Sequence, residues 1–234
     1  MIEKLQGLVA ELGWVDAIIY LIDRALGIIK TPVSIARYVL VAQAVPDKPM
    51  LPPNRGSSIV VRPLELADDL GGETTLSPAL FASRTARGSL TFGAFDASGL
   101  IGYLSIDLGP HDDEFLPARF VPLPTSLCAW DYDFFVTARL RLGIVYLRIW
   151  DGVFEFLRNR GIAWSFSYIA SANVRSMKSQ LRMGAIPVET FIVTRLGQCQ
   201  VFLRARRPFI QIAGRSGRRP EIATVAPQRQ RLRS

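Results

Sequence analysis

The sequence predicts a mixed α/β fold, in which helices flank a twisted sheet. The first observation is a stretch at 126–187 in which strand and helix patterns alternate, in the order 126–136, 144–161, 163–170 and 173–184. The second is a hairpin pattern at 89–109, where two strand patterns flank the turn signal Asp96-Ala97-Ser98-Gly99. The third is a hydrophobic content of 49% in 234 residues, which is enough for a sizeable core.

The alternating stretch also predicts where a ligand binds. We expect strands 126–136 and 163–170 to lie parallel, joined by a right-handed crossover through the helix, and to splay apart at their carboxyl ends. The turn between the first strand and the helix carries Arg139 and Arg141. Cations are mildly unfavourable at a helix N-terminus, so two arginines there indicate a bound anion such as a phosphorylated ligand.

The remaining segments extend from this region in both directions. Residues 2–30 have helical periodicity, and we expect this helix to pack on the domain or on a second copy. A membrane surface is the less favoured alternative, because the polar face has no excess of Lys and Arg. The predicted organisation is an N-terminal helix and strand extension at 1–45, a linker or loop at 46–58, an α/β domain at 59–206, and a basic tail at 207–234.

The net charge of +8 belongs to the tail. Residues 204–234 contain nine arginines and one acid, Glu221, so the preceding chain is close to neutral. We expect 214–234 to be largely disordered and to add affinity for an anionic membrane, with nucleic acid a less favoured partner. Two cysteines and the lack of a visible signal peptide or membrane span favour a cytoplasmic location, with contact at the inner face of the membrane left open.

A Pro-rich insertion at 110–125 carries the four potential ligands His111, Asp112, Asp113 and Glu114. One histidine among contiguous acids lacks the spacing of a metal-ligand set. The sequence therefore predicts a solvated acidic loop and no metal.

The order of elements resembles that of the GNAT superfamily of acyl-CoA-dependent N-acyltransferases over roughly 59–206. Residues 136–142, Val-Thr-Ala-Arg-Leu-Arg-Leu, occupy the place of the family's V-x-P-x-Y-R-G sequence. Asn173 and Ser176, with Gly184-Ala185 eleven residues after the Asn, match its Asn-x-x-Ser/Ala segment. Ile144 and Tyr146 stand where the family's phosphate loop has small residues.

The resemblance implies a fold, an activity and a set of contacts. It implies transfer of an acyl group, in the simplest case acetyl, from a CoA thioester to a primary amine of a small molecule such as an amino sugar or an amino acid. Acyl-CoA would be a co-substrate. The implied CoA contacts are Phe135, Val136, Arg141, Leu142, Gly143, Ile144, Val145, Asn173 and Ser176.

Two alternatives remain open within the same fold. Trp130-Asp131-Tyr132-Asp133-Phe134 resembles the W-E-x-S-R strand of acyl-homoserine-lactone synthases, which use acyl carrier proteins as donors. A degenerate, non-catalytic binding module is the second alternative. A homodimer is compatible with each.

Candidate catalytic residues lie on the two strands. Asp131 and Asp133 should point to the same face, because side chains alternate along a strand, and either could act as the base for the amine. The simpler alternative is an ion pair with Arg139 or Arg148, or contact with solvent. Tyr168 is the candidate general acid, with a half-buried strand tyrosine as its simpler alternative.

Overall fold

The computed structural model describes residues 2–71, 73–141, 143–214 and 219–228. The architecture is mixed α/β, with a large mixed sheet and flanking helices, which confirms the predicted class. The chain forms two compact units that alternate along the sequence. The first contains Met1–Gln43, His111–Leu123 and Phe166–Ser234, and the second contains Ala44–Pro110 and Pro124–Ser165. These units do not follow the predicted domain boundaries.

The described residues form five α-helices and twelve strands. The helices are α1 (Ile2–Leu12), α2 (Trp14–Ile28), α3 (Pro78–Ala86), α4 (Val145–Asn159) and α5 (Val174–Arg182). The strands are β1 (Val33–Ala44), β2 (Val60–Pro63), β3 (Leu90–Asp96), β4 (Gly99–Leu108), β5 (His111–Asp112), β6 (Arg119–Leu123), β7 (Cys128–Val136), β8 (Trp164–Ala170), β9 (Ile186–Leu196), β10 (Cys199–Arg204), β11 (Ile210–Ala213) and β12 (Glu221–Val225). None of these helices is both long and apolar enough to cross a bilayer.

The first unit is built on the strand order β11-β10-β9-β1, in which each neighbouring pair is antiparallel. Its core is aromatic. The rings of Tyr38 and Phe191 stack at 5.4 Å, Phe202 stacks on Phe191, and Phe120 lies 5.3 Å from Tyr168. Residues 33–44 were predicted to belong to an extension, but β1 pairs with β9 from Val33 to Ala42 and is therefore an integral strand of this unit.

The tail also takes part in the first unit. Strand β12 pairs in parallel with β6, and the side chains of Ile222 and Thr224 are buried. The guanidinium of Arg204 donates to the carbonyl of Ala223. The prediction that 214–234 is largely disordered is therefore wrong for Glu221–Val225, where alternating Ile222 and Thr224 give a strand period that the arginine count obscures. Residues 215–218 and 229–234 lie outside the described part of the chain.

The second unit is built on the antiparallel order β7-β4-β3-β2. The predicted hairpin is confirmed, since β3 pairs with β4 and the Asp96 carboxylate accepts from the backbone N–H and hydroxyl of Ser98. Helix α4 contributes a buried apolar stripe that includes Ile149, Trp150 and Phe154. Burying each of these side chains stabilises the fold by about 1.5–3 kcal/mol relative to exposure.

Helix α3 begins at Pro78, directly after its cap. Ser77 caps it, because the Ser77 hydroxyl accepts from the N–H of Leu80 and Pro78 occupies the first turn. Before this helix, Asp68 accepts from both terminal nitrogens of Arg62 and from the N–H of Glu65. The loop between β2 and α3 is thereby held by a bidentate ion pair.

Candidate active site

The carboxyl-terminal half of β7 contains a β-bulge. Tyr132 pairs with Ser105 and Phe135 pairs with Tyr103, so Asp133 and Phe134 together lie opposite the single residue between those partners. Asp133 has a φ of 52°, in the left-handed region that aspartate tolerates better than most residues. A bulge places one residue outside the ladder, and bulges of this kind concentrate next to active sites.

The bulge separates the two aspartates. Asp131 pairs with Ile106, whereas Phe135 pairs with Tyr103, and positions 103 and 106 lie on opposite faces of β4. The Tyr103 hydroxyl donates to Asp133, which places Asp133 on the Tyr103 side. The prediction that Asp131 and Asp133 share a face is therefore wrong, because the extra residue in the bulge shifts the alternation by one.

Asp131 is a buried structural carboxylate. Only 4% of the residue is exposed, and its Oδ2 accepts from the hydroxyl of Ser165 at 2.6 Å. Burial raises the pKa of Tyr146, and the charge of Asp131 raises it further. Asp131 thus has no direct access to solvent that a base for an incoming amine would need.

Asp133 is the centre of a polar network within the second unit. Arg84 Nη1 donates to Asp133 Oδ2, and the Tyr103 hydroxyl donates to Oδ1 at 3.1 Å. Tyr103 also shares a hydrogen bond of 2.8 Å with the hydroxyl of Thr75. Burial raises the pKa of Tyr103 to about 12, so its proton stays in place at neutral pH. The partner of Asp133 is therefore Arg84 rather than Arg139 or Arg148.

A pocket of about 210 Å³ lies beside this network. Phe135 forms part of its apolar wall and stacks on Tyr103 with the ring centres 5.5 Å apart. The polar lining includes Glu73, Thr74, Ser98, Thr137 and Arg139. Thr74 also hydrogen-bonds the Tyr103 hydroxyl, which links the pocket to Asp133 through a single tyrosine.

The predicted basic turn is a tight one. After β7 the chain forms a short 3-10 turn at Ala138–Leu140, and the N–H of Gly143 donates to the carbonyl of Leu140. Arg141 Nε donates to the carbonyl of Val136, and Arg139 Nη2 donates to the hydroxyl of Ser98 at 2.8 Å. The Gly143 amide is thus used within the turn, which leaves it unable to bind a phosphate as the resemblance implied. Leu142 lies outside the described residues.

The start of α4 has the properties of an anion site. Ile144 occupies the N-cap position without a side-chain cap bond, and the first turn contains no acid. The backbone N–H groups of Val145, Tyr146 and Leu147 precede the first helical bond, from Arg148 N–H to the Ile144 carbonyl. Such a helix N-terminus attracts negative charge.

The two large residues at this point pack elsewhere. The Ile144 side chain lies so near Gly56 that a Cβ at position 56 would be 3.2 Å from its Cδ1. The Tyr146 ring lies 4.9 Å from that of Phe134. These two side chains therefore pack against the loop at Gly56 and against β7.

The other predicted site residues belong to the first unit. The Tyr168 hydroxyl donates to Asp113 Oδ2 at 2.9 Å, and burial, followed by the charge of Asp113, raises its pKa. The Asn173 side chain caps α5 by accepting from the N–H of Ser176 at 3.2 Å. The acid role of Tyr168 and the CoA contacts of Asn173 and Ser176 stay predictions.

The predicted acidic loop is partly a buried cluster. Asp113 and His111 are 5% and 3% exposed, and His111 Nε2 lies 3.3 Å from Asp113 Oδ2. Asp113 Oδ1 also accepts from the N–H groups of Phe115 and Leu116, so this carboxylate orders the turn before β6. The prediction of a solvated loop is wrong for these two residues. Within the described residues, no group of His, Cys, Asp and Glu has metal-binding geometry.

Sequence reasoning missed Arg84 and Tyr103. Arg84 lies 49 residues from Asp133 and Tyr103 lies 30 residues from it, so no local spacing connects them. The available signal was an arginine in the last turn of a short helix, which a surface position explains equally well.

Comparison with known proteins returns structural similarities only. No family model matches the chain, and no curated protein matches it. A functionally unknown conserved protein from Staphylococcus epidermidis is 10% identical with a TM-score of 0.48, covering 74% of this chain and 66% of its own. A tandem GNAT protein from the clavulanic acid biosynthesis pathway is 14% identical with a TM-score of 0.46, covering 70% and 54%.

A third similar structure comes from Novosphingobium aromaticivorans and is described as a putative acetyltransferase from the GNAT family. It is 15% identical with a TM-score of 0.42, and the match covers 69% of this chain and 63% of that one. This chain therefore spans between 54% and 66% of the length of the three proteins.

Proposed function

We propose that this chain is a divergent member of the GNAT superfamily and an N-acyltransferase that moves an acyl group from a CoA thioester to the primary amine of a small molecule. The observation that carries the proposal is the bulge at Asp133 and Phe134, near the carboxyl end of β7. It lies next to a pocket and shortly before a basic turn that leads into an uncapped helix.

The bulge supplies the electrostatic part of the chemistry. Attack of an amine on a thioester places negative charge on the carbonyl oxygen, and that charge needs a preorganised donor. A residue outside the strand ladder has a backbone N–H that is free to donate. In this chain the N–H of Asp133 or Phe134 takes that role.

The start of α4 supplies the anion site. The first-turn N–H groups of Val145, Tyr146 and Leu147 fit the phosphates of CoA, because no acid and no side-chain cap competes for them. Arg141 is oriented by its bond to the Val136 carbonyl, and its other guanidinium N–H groups can pair with phosphate oxygens. Arg139, which lines the pocket, adds a second cation.

The network around Asp133 supplies proton transfer. An ammonium acceptor must lose a proton before it attacks, and the pocket brings it next to Thr74, whose side chain hydrogen-bonds the buried Tyr103 hydroxyl. The Tyr103 hydroxyl can pass its own proton to Asp133 while it accepts the Thr74 hydroxyl proton, and Thr74 regains a proton from the amine. Asp133 is thus the base, acting through Tyr103, and Arg84 fixes its position.

Ligand binding tests the proposal before an acceptor is known. Calorimetry with CoA, acetyl-CoA and a long-chain acyl-CoA should give saturable binding. Replacing Arg141 with Ala should weaken CoA binding by roughly 1.5–3 kcal/mol, the scale of a charge-assisted hydrogen bond. Arg24→Ala, which removes an exposed arginine from α2, is the matched control and should leave CoA binding unchanged.

Turnover is then measured as thiol release from acetyl-CoA against a panel of amino sugars and amino acids. An absence of CoA binding at millimolar ligand would contradict the CoA mechanism. Binding without turnover on any amine would instead favour a non-catalytic role or an acyl-carrier-protein donor.

A further inference from the structure

Helix α2 faces the protein with its charged side. Asp16 Oδ2 accepts from Arg37 Nη1 at 2.7 Å, and Asp23 Oδ1 accepts from the backbone N–H of Ile35 at 2.9 Å. Both acids are bound by β1 of the same unit. The only fully buried residue of α2 is Ala17. This arrangement is the reverse of an ordinary surface helix, which packs its apolar side inward.

The apolar side of α2 faces outward. We call this set the α2 face, and its members are between 39% and 73% exposed: Trp14, Val15, Ile18, Leu21, Ile22, Ile28 and Ile29. They recur at three- and four-residue spacing and therefore form one continuous stripe. Contiguous apolar patches larger than a few hundred Å² are rare on monomers and mark interaction sites.

The exposed charges within α2 and at its carboxyl end are positive. Between residues 14 and 30 the exposed charged side chains are Arg24 and Lys30, while the two acids are turned toward β1. A twofold contact between two copies presents the same patch from both sides, so Arg24 and Lys30 would need acids that residues 14–30 do not offer on this side of the helix. An anionic surface complements it directly.

The aromatic residue at the start of the helix points to the same partner. Trp14 is 71% exposed, and an indole favours the boundary between an apolar phase and water. Helix α2 has 15 residues, which suits a helix lying in the plane of a membrane surface and is too short to span one.

We propose that the α2 face binds the surface of an anionic phospholipid bilayer, with the helix axis in the plane of the interface and Arg24 and Lys30 against the headgroups. The proposal is independent of acyl transfer, because it rests on the first unit alone. The partner is recognised by an apolar stripe with a cationic border.

Tryptophan quenching tests this proposal in the full-length protein. Trp130, Trp150 and Trp164 are buried, so Trp14 is the exposed member of the four tryptophans. Vesicles of phosphatidylcholine and phosphatidylglycerol in equal parts, with brominated acyl chains, should quench its fluorescence and shield it from acrylamide. Trp14→Phe should abolish that quenching. Adsorption through the arginine tail alone would leave Trp14 unquenched, which would overturn the assignment to α2.

Substitutions that leave the net charge unchanged test whether vesicle binding depends on inserted apolar side chains or on charge alone. The double change Ile18→Gln and Ile22→Gln keeps the helix and its net charge, and should weaken binding to these vesicles by at least about tenfold. Val60→Gln on β2 removes an equally exposed apolar side chain and should have no effect. Unchanged binding in the double variant would overturn the proposal. A dimeric mass without lipid, together with protection of Trp14 from acrylamide, would also overturn the proposal, because a second copy would then cover the α2 face.

Discussion

The ion pair between Arg84 and Asp133 gives the sharpest mutational prediction. The Arg84 side chain is 6% exposed and that of Asp133 is 27% exposed. An exposed pair contributes about 0–1 kcal/mol, whereas removing one partner of a buried pair costs about 3–5 kcal/mol. For this half-buried pair we expect Asp133→Asn to lower the free energy of unfolding by about 2 kcal/mol.

Backbone conformation adds a second contribution. Asp133 has a φ of 52°, which asparagine also tolerates and alanine does not. Asp133→Ala should therefore cost about 1 kcal/mol more than Asp133→Asn, since a left-handed backbone is strained for ordinary L-residues. The difference between the two variants combines strain at the bulge with the hydrogen bond from Tyr103, which an asparagine side chain can still accept.

Urea denaturation of the two single variants and of a double-mutant cycle with Arg84→Met provides the test. The cycle should give an interaction energy of about 2 kcal/mol between positions 84 and 133. Effects that add to within about 0.5 kcal/mol would show that the two side chains do not interact in solution. Equal stabilities of the Asn and Ala variants would refute the argument from backbone strain.

Three further perturbations address other parts of the chain. Tyr103→Phe should lower kcat for amine acylation by roughly 10²-fold or more while CoA affinity stays unchanged, and an unaltered kcat would exclude Tyr103 from proton transfer. Arg204→Met should lower the free energy of unfolding by about 3–5 kcal/mol, because it leaves the Glu189 carboxylate buried without its partner; denaturation of Arg206→Met is the control. The hydrogen bond from Arg62 holds the pKa of Asp68 at about 2, below its ordinary 3.8. The stability from this pair is therefore present above about pH 4 and is lost as the pH falls toward 2, and Asp68→Asn should flatten the unfolding free energy over that window.

The sequence indicates the order of elements around the site because that order depends on local periodicity. The strand at 128–136, the turn with Arg139 and Arg141, and the helix from Val145 follow from apolar spacing within about thirty residues. These features need no knowledge of distant partners.

The bulge and its network could not be predicted in this way. The extra residue at Asp133 and Phe134 is defined by pairing with β4, and nothing near position 133 specifies that register. The same reason hides Arg84 and Tyr103, which reach Asp133 from separate elements. Assigning Asp131 and Asp133 to one face followed correctly from an unbroken strand period, and it failed because the strand is interrupted between them.

The other differences between the sequence predictions and the structure arise because charged or polar side chains are buried. His111 and Asp113 lie in a polar run, yet the backbone N–H groups of Phe115 and Leu116 and the Tyr168 hydroxyl make Asp113 an interior acceptor. The acids of α2 are likewise bound by Arg37 and by the backbone of Ile35. A count of charges along the sequence cannot show which of them are turned inward.

The central claim, that a CoA thioester binds at the bulge and at the start of α4, is tested most directly by amide hydrogen exchange with and without CoA. We assign backbone N–H groups at the bulge and in the first turn of α4 to contacts with the CoA thioester. These groups, between Asp133 and Leu147, would exchange more slowly when CoA is bound, and Arg141→Ala would reduce that protection. Exchange at β10, which contains no predicted CoA contact, would provide the comparison within the same sample. Slower exchange across residues 133–147 on adding CoA is the predicted result, and unchanged exchange there at a CoA concentration that saturates binding would contradict the account.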